Sequence, residues 1–144
     1  MSEDPLVVRS VRGIRKQELR EFIARVARSL LRGWEFTCLI TNDAEIRRLN
    51  KQFRKKNSTT DVLSFPALDQ RNFAGDIAIS IDRARAQAAE QGHSVANELR
   101  ILILHGALHL RGMDHETDSG EMARAEMRWR KRLDLPRGLL ERTR

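Results

Sequence analysis

The chain has 144 residues, and its composition of 40% hydrophobic and 33% charged residues suits a globular protein, so we predict a single domain over residues 1–144. The longest run without Asp, Glu, Lys or Arg, Ile101 to Leu110, is ten residues, whereas a membrane-spanning helix needs about 20. Met1 to Pro5 lack the basic and apolar stretches of a secretory signal. The one cysteine, Cys38, excludes an internal disulfide and a Cys-only zinc finger. We therefore expect a reduced, cytoplasmic protein without a membrane partner.

Basic residues exceed acidic ones, with 27 Lys and Arg against 20 Asp and Glu and a net charge of +7. Six cations lie in a stretch that contains no acid: Arg47, Arg48, Lys51, Arg54, Lys55 and Lys56. Such an excess favours polyanionic partners, nucleic acid above all, although a merely Arg-rich surface has the same composition. A second basic group, residues 124–132, is interleaved with acids such as Glu126 and is typical of a solvated helix face. Because Tyr is absent and aromatic residues are few, a base-stacking platform is poorly supported.

Hydrophobic periodicity predicts four elements in the first part of the chain. They are a short strand at Val7, Val8 and Val11, a helix from Lys16 to Leu31, a strand from Trp34 to Thr41 and a helix from Asp43 to about Phe53. Asn42 and Glu45 form a capping pair for the second helix. The second strand alternates, which places Trp34, Phe36, Cys38 and Ile40 on one buried face, so we interpret Cys38 as a small core residue rather than a reactive thiol.

A polar loop from Lys55 to Thr60 leads into the second part of the chain. Two strands are predicted there, from Val62 to Phe65 ended by Pro66 and from Gly75 to Ile81, with a turn from Asp69 to Ala74 between them. Three helices follow. The first is capped by Asp82 and ends before Gly92, the second is capped by Ser94, runs to Arg111 and stops at Gly112, and the last runs from about Asp118 to Leu133 and buries Trp129. These elements predict an α+β fold, in which a small mixed sheet of about four strands is covered by about five helices.

Three of the four histidines, His105, His109 and His115, lie within eleven residues. His105 and His109 are four apart on a predicted helix, so their Cβ atoms project from one face roughly 5–6 Å apart and both imidazoles can reach one metal ion. Gly112 ends the helix, which lets the chain fold back and bring His115 within reach as a third ligand. Three nitrogen ligands leave one tetrahedral position open, as in catalytic zinc sites. His93 has no such partner in the sequence.

The histidine spacing also matches the zinc-peptidase signature His-Glu-x-x-His-x-x-Gly-x-x-His, except that Gly106 occupies the position of the glutamate. In those peptidases the glutamate takes a proton from water, which a glycine cannot do. The sequence therefore keeps the metal ligands and lacks the peptidase base. This combination favours phosphodiester hydrolysis, because a metal ion can both activate water and polarise a phosphoryl oxygen.

Three blocks of sequence together resemble the YbeY family of bacterial endoribonucleases, also called rRNA maturation factors. The blocks are His105-Gly-x-Leu108-His109-Leu110-x-Gly112-x-Asp114-His115, the central stretch with Leu49-Asn50, Phe53-Arg54-x-Lys56 and Thr60 to Pro66, and Gly75-Asp76-Ile77-x-Ile79-Ser80. They lie in order and span Leu49 to His115. The departures are Asn57, where the family often has Asp, Thr59, where Pro is common, and Met113, where Tyr is common. None of the three is a metal ligand, and they leave the shape of the loop from Lys55 to Thr60 open.

The resemblance implies a zincin-like His-x3-His helix in a metal-dependent, single-strand-specific endoribonuclease. It further implies rRNA processing at the 3′ end of the small-subunit rRNA, a part in ribosome quality control, and the small ribosomal subunit as a partner. One Zn²⁺ per chain would be held by His105, His109 and His115. The resemblance also implies that His115 and Arg54 are catalytic. Arg54 would hold a phosphate or stabilise charge that develops during the reaction. Three imidazoles also accept nickel, copper or iron, so the metal stays open.

Two aspartates have alternative roles, and no residue is an evident general base. Asp114 is expected either to accept a ring N–H from a ligating histidine or to cap the turn. Asp76, at the predicted start of a strand, is expected to make local turn hydrogen bonds or to act in catalysis. Two other functions compete with the nuclease: a zinc hydrolase of another substrate, such as a peptidase, and a non-catalytic ribosome-associated protein braced by zinc. The latter requires a fourth ligand, for which Cys38 and His93 are the other candidates.

Overall fold

The computed structural model describes residues 4–68 and 70–142 and contains a four-stranded mixed sheet. Its strands are β1 (Leu6–Val8), β2 (Glu35–Thr41), β3 (Val62–Pro66) and β4 (Phe73–Ser80), in the order β1-β2-β4-β3. The first, second and fourth are parallel, and β3 runs antiparallel to β4 at one edge. The described part of the chain therefore confirms the predicted mixed sheet, while Met1 to Glu3 and Asp69, the first residue of the predicted turn, lie outside it.

The described residues also form six helices. They are α1 (Lys16–Ser29), α2 (Asp43–Arg54), α3 (Ile81–Gln91), α4 (Val95–Leu110), α5 (Glu121–Arg132) and α6 (Leu139–Arg142). Of these, α1 to α4 contact the sheet, and α5 and α6 pack against α4. Helix α4 is buried on almost every side, packing on β3 and β4 and contacting α1, α3 and α5, while α2 packs on β4 from a second, smaller apolar cluster. No helix in these residues combines the length and hydropathy needed to cross a bilayer. The α+β prediction is confirmed, with one more helix than expected.

The alternation predicted for β2 is confirmed in its interior and fails at its start. Phe36, Cys38 and Ile40 are buried in the main core, beside Ile77 and Ile79 of β4. The prediction that Trp34 shares this face is wrong, because it precedes the strand and its residue is 42% exposed.

The start of α3 differs from the prediction. Ser80, not Asp82, is the N-cap residue, because its hydroxyl accepts a hydrogen bond from the Arg83 N–H at 3.2 Å. Ile81 is therefore the first helical residue rather than the end of β4. The carboxylate of Asp82 instead accepts the backbone N–H of Asp43 at 2.8 Å, at the start of α2.

Two further boundaries shift because of hydrogen bonds that the sequence does not reveal. Strand β4 begins at Phe73, inside the predicted turn. Pairing with the chain that follows β3 extends into this turn, because the Ala67 N–H donates to the Ala74 carbonyl at 2.9 Å. Helix α5 begins at Glu121 because Asp118 caps the preceding turn by accepting the N–H groups of Gly120 and Met122. Other predicted features are confirmed, namely the caps Asn42 and Ser94, the stop after Arg111 and the packing of Trp129 against the core.

Candidate metal centre and its cleft

Three histidines come together where α4 ends. His105 and His109 lie on its last turns with ring centroids 4.9 Å apart, and each is 5.6 Å from the ring of His115. Their ligand nitrogens all lie within 4.8 Å of one another, so the group could hold one metal ion. Gly112 makes this possible, because its φ of +98° lies in the left-handed region that suits glycine and turns the chain back toward the helix.

The three imidazoles differ in burial, from His105, which is buried, through His109 to His115, which is exposed. Burial lowers the pKa of His109, and the neighbouring His105 and His115 rings lower it further. A lowered pKa keeps this imidazole neutral near pH 7, with a lone pair available. Metal binding needs neutral imidazole nitrogens, so the electrostatics of the cluster suit that role.

Glu126 is a further candidate residue of the site that the sequence patterns did not indicate. Its side chain is fully buried in α5, and its Oε2 lies 2.8 Å from Nδ1 of His105. A carboxylate at this nitrogen fixes the tautomer of a ligating histidine and leaves Nε2 for the ion. The interpretation of Glu126 as part of a solvated helix face is therefore wrong. Its position beside the buried Met122 and Ala125 on one helix face is the signal that could have identified it.

The two aspartates take structural positions. Asp114 accepts the Glu116 N–H at 3.0 Å through its side chain, and its carbonyl accepts the Thr117 N–H, so of its two predicted roles it fills that of stabilising the turn. Asp76 lies within β4, not at its start, and its carboxylate accepts a hydrogen bond from the Thr37 hydroxyl on β2. The expectation of turn hydrogen bonds for Asp76 is thus replaced by a cross-strand bond.

The histidines border a cleft of about 770 Å³ whose other walls come from distant parts of the chain. The walls are the edge strand β3, the loop from Lys55 to Thr60, the end of α2, and α6 with Leu139 and Leu140. Arg54 and Lys56 line this cleft together with the histidines. The structure therefore brings the sequence-predicted Arg54 to the same cavity as the predicted metal ligands.

The loop that carries Lys56 has a defined shape. Lys55 adopts a left-handed φ of +57° and ends α2. The loop that follows is held by the Asn50 side chain of α2, which donates to the Ser58 carbonyl at 3.0 Å. The two residues that depart from the family pattern in this loop are also bonded. Asn57 accepts from Arg47 at 2.9 Å, and Thr59 donates to Asp43 at 3.1 Å.

Gly106 faces the sheet rather than the cleft. A Cβ atom at this position would lie 2.9 Å from Cδ1 of Ile77, and the Gly106 carbonyl accepts the Ser64 hydroxyl at 3.1 Å. Helix α4 thus packs directly on β3 and β4, and a side chain at position 106 would have to displace the buried side chain of Ile77. The position that supplies the base in the peptidase signature has no room for one here.

Neither candidate for a fourth ligand joins the cluster. Cys38 is buried in β2, and burial raises the pKa of its thiol to about 12. His93 lies before α4, where its Nε2 is 2.6 Å from a carboxylate oxygen of Glu98. Within the described part of the chain, the group of side chains close enough to share an ion contains the three histidines alone.

Comparison with known proteins identifies the family. The profile of the family described as Endoribonuclease YbeY matches residues 9–134. The Endoribonuclease YbeY of Solibacter usitatus is 53% identical over 90% of this chain and 86% of its own length, and that of Koribacter versatilis is 47% identical over 96% and 90%. The solution structure of a Thermotoga maritima protein superimposes with a TM-score of 0.61 at 26% identity, covering 86% of this chain and 85% of that one. The resemblance seen in the three sequence blocks is confirmed, and the chain belongs to the YbeY family.

Proposed function

We propose that this protein is a metal-dependent endoribonuclease that cuts single-stranded RNA. The observation that carries this proposal is the cluster of His105, His109 and His115 beside Arg54 and Lys56 in one cleft. The relatives named above are endoribonucleases, which supports RNA as the substrate. We extend the proposal to rRNA processing at the small-subunit 3′ end and to ribosome quality control, in the cytoplasm and with the small ribosomal subunit as partner.

The three histidines would hold one Zn²⁺ per chain, and the donor set fits, because Glu126 directs His105 and the other two rings lie within reach. When bound, such an ion would act as a Lewis acid that polarises a phosphoryl oxygen and lowers the pKa of water. Arg54 would hold a phosphate of the scissile region through its fork of N–H donors and stabilise charge that develops there. Lys56 would add a second positive charge on the same wall.

The test is cleavage of end-labelled single-stranded RNA by protein of known metal content, beside a casein digest, with and without a chelator. We expect chelator-sensitive RNA cuts and intact casein. Casein cleavage would favour a peptidase, against which the lack of space at Gly106 argues. Intact RNA with a fully loaded metal site would favour a non-catalytic ribosome-associated protein and contradict the nuclease proposal.

A further inference from the structure

Glu126 joins the histidine cluster to the end of the chain. One carboxylate oxygen, Oε2, is bonded to His105, and the other, Oε1, accepts the backbone N–H of Leu140 at 2.9 Å. The side chain is fully buried, so water does not compete for either oxygen. One carboxylate therefore contacts both a predicted metal ligand and the segment of residues 138–142, which we call the C-terminal segment.

The C-terminal segment packs tightly against this carboxylate at Gly138. A Cβ atom at Gly138 would be 2.2 Å from Oε1 of Glu126 and 2.7 Å from its Cδ. Gly138 is not among the glycines with a left-handed φ, so this position needs glycine for space rather than for backbone conformation. Any larger residue at 138 would displace either the segment or the carboxylate.

Two ion pairs fasten the C-terminal segment to the helices that carry the site. Arg130 of α5 donates twice to Glu141, at 2.8 and 2.9 Å. Arg142 donates twice to Glu98, at 2.9 and 2.8 Å, and Glu98 is buried on α4, the helix that also carries His105. The segment also contributes Leu139 and Leu140 to the cleft wall.

We propose that Glu126 is a positioning residue for His105 and that the C-terminal segment holds Glu126 in place, so that metal binding and docking of the segment are coupled. This inference rests on the proposed metal site. A carboxylate that fixes the orientation of a ligating imidazole strengthens metal binding. Since coupling between two equilibria is reciprocal, a bound metal stabilises the docked segment as much as docking strengthens the site. The segment lies beyond residues 9–134, the part of the chain that the family profile matches.

The experiment compares full-length variants for affinity toward Zn²⁺, measured by competition with a chromophoric chelator, and for the visible spectrum of bound Co²⁺. Glu126→Gln keeps the shape of the side chain but offers an oxygen to only one of its two N–H donors. We expect it to weaken Zn²⁺ binding by about 10- to 100-fold and to alter the Co²⁺ bands. Gly138→Ala, which leaves every ligand intact, should weaken binding in the same direction by less.

The matched control is Glu121→Gln, because Glu121 lies on the exposed face of the same helix and should leave both readouts unchanged. Folding of each variant is checked by a cooperative thermal transition. Folded Glu126→Gln with wild-type affinity and an unchanged Co²⁺ spectrum overturns the positioning role. Weaker binding in Glu126→Gln with no change in Gly138→Ala overturns the coupling to the segment. If the wild-type protein itself takes up no metal, the proposed function fails, which is distinguishable from both results.

Discussion

Near each end of α4 a buried carboxylate is hydrogen-bonded to a histidine, but among residues 4–68 and 70–142 only Glu98, and not Glu126, is also paired with an arginine. At the N-terminal end, Glu98 is hydrogen-bonded to His93 and also accepts hydrogen bonds from Nη1 and Nη2 of Arg142 and from the side-chain amide of Gln87. At the C-terminal end, His105 is the one ion-pair partner of Glu126 found among residues 4–68 and 70–142.

This difference separates a structural site from a candidate functional site. A buried carboxylate is costly unless a positive charge compensates it. Arg142 supplies that positive charge to Glu98 permanently, so the buried carboxylate at this end is compensated without any bound ion. A positive charge near Glu126 would come from the proposed metal ion bound through His105, so we expect binding of that ion to stabilise this end further than its two hydrogen bonds do. Four predictions test the contrast, from the largest expected effect to the smallest.

The largest effect is expected at the metal end. His115→Ala removes an exposed predicted ligand without disturbing the core, and it should lose metal and RNA cleavage together. The loss should exceed the roughly 100-fold seen when only an outer partner of a ligand is changed. Metal content and cleavage rate are measured on the same preparation. Cleavage that persists in metal-free His115→Ala would defeat the proposed mechanism.

A second change separates chemistry from metal binding. Arg54 lines the cleft and has no ion-pair partner in the described part of the chain. Arg54→Ala should therefore keep the metal and lower RNA cleavage by about 10²- to 10³-fold, the usual cost of one charge-stabilising donor. Lys51→Ala, on the same helix but outside the cleft wall, is the control. An equal loss in both variants would assign Arg54 to general electrostatic attraction only.

The opposite end of α4 should affect stability instead. Glu98→Gln breaks the buried pair with Arg142 and should lower the free energy of unfolding by about 3 kcal/mol. Metal affinity of the folded variant should fall only a few-fold, because Leu140 still bonds to Glu126. Urea unfolding and Zn²⁺ competition measure the two quantities. The contrast between the ends fails if affinity collapses while stability is retained.

The smallest expected effect is a pH dependence of stability. Burial would raise the pKa of Glu98, but hydrogen bonds from Arg142, His93 and Gln87 outweigh it and hold the pKa below 4.5. Arg130 likewise lowers the pKa of Glu141. Because these folded-state pKa values lie below the unfolded ones, their stabilisation is fully present above about pH 4.5 and is lost as the pH falls further. Urea midpoints between pH 7 and pH 3 should fall less steeply in Glu98→Gln than in the wild type.

Local rules account for what could be predicted about the site. His105 and His109 are neighbours on any helix because their spacing is four, and Ser94 and Gly112 mark the ends of that helix through short-range hydrogen bonds and backbone conformation. The basic stretch that ends in Lys56 and the position of Gly106 pointed away from a peptidase. Each of these inferences depends on residues within a turn or two of one another.

The remaining features depend on contacts between distant residues. The carboxylate that contacts His105 belongs to Glu126, 21 residues away, whereas the sequence drew attention to Asp114, which is adjacent to His115. Helix α6 is too short to be stable alone and exists because side chains of α4 and α5 hold it. Hydrophobic periodicity predicts neither the contact between His105 and Glu126 nor helix α6.

The amino-acid sequence by itself determined the α+β class, the helix that carries two histidines and the family, because hydrophobic period, caps and motif spacing are local properties of the chain. Only the tertiary structure decided that Arg54 shares the cleft with those histidines, that Gly106 is pressed against Ile77, and that Glu126 connects the cluster to the C-terminal segment. The physical reason is that hydrogen bonding and close packing between separate elements are set by the way the elements meet. That arrangement depends on the whole core rather than on any one stretch of residues.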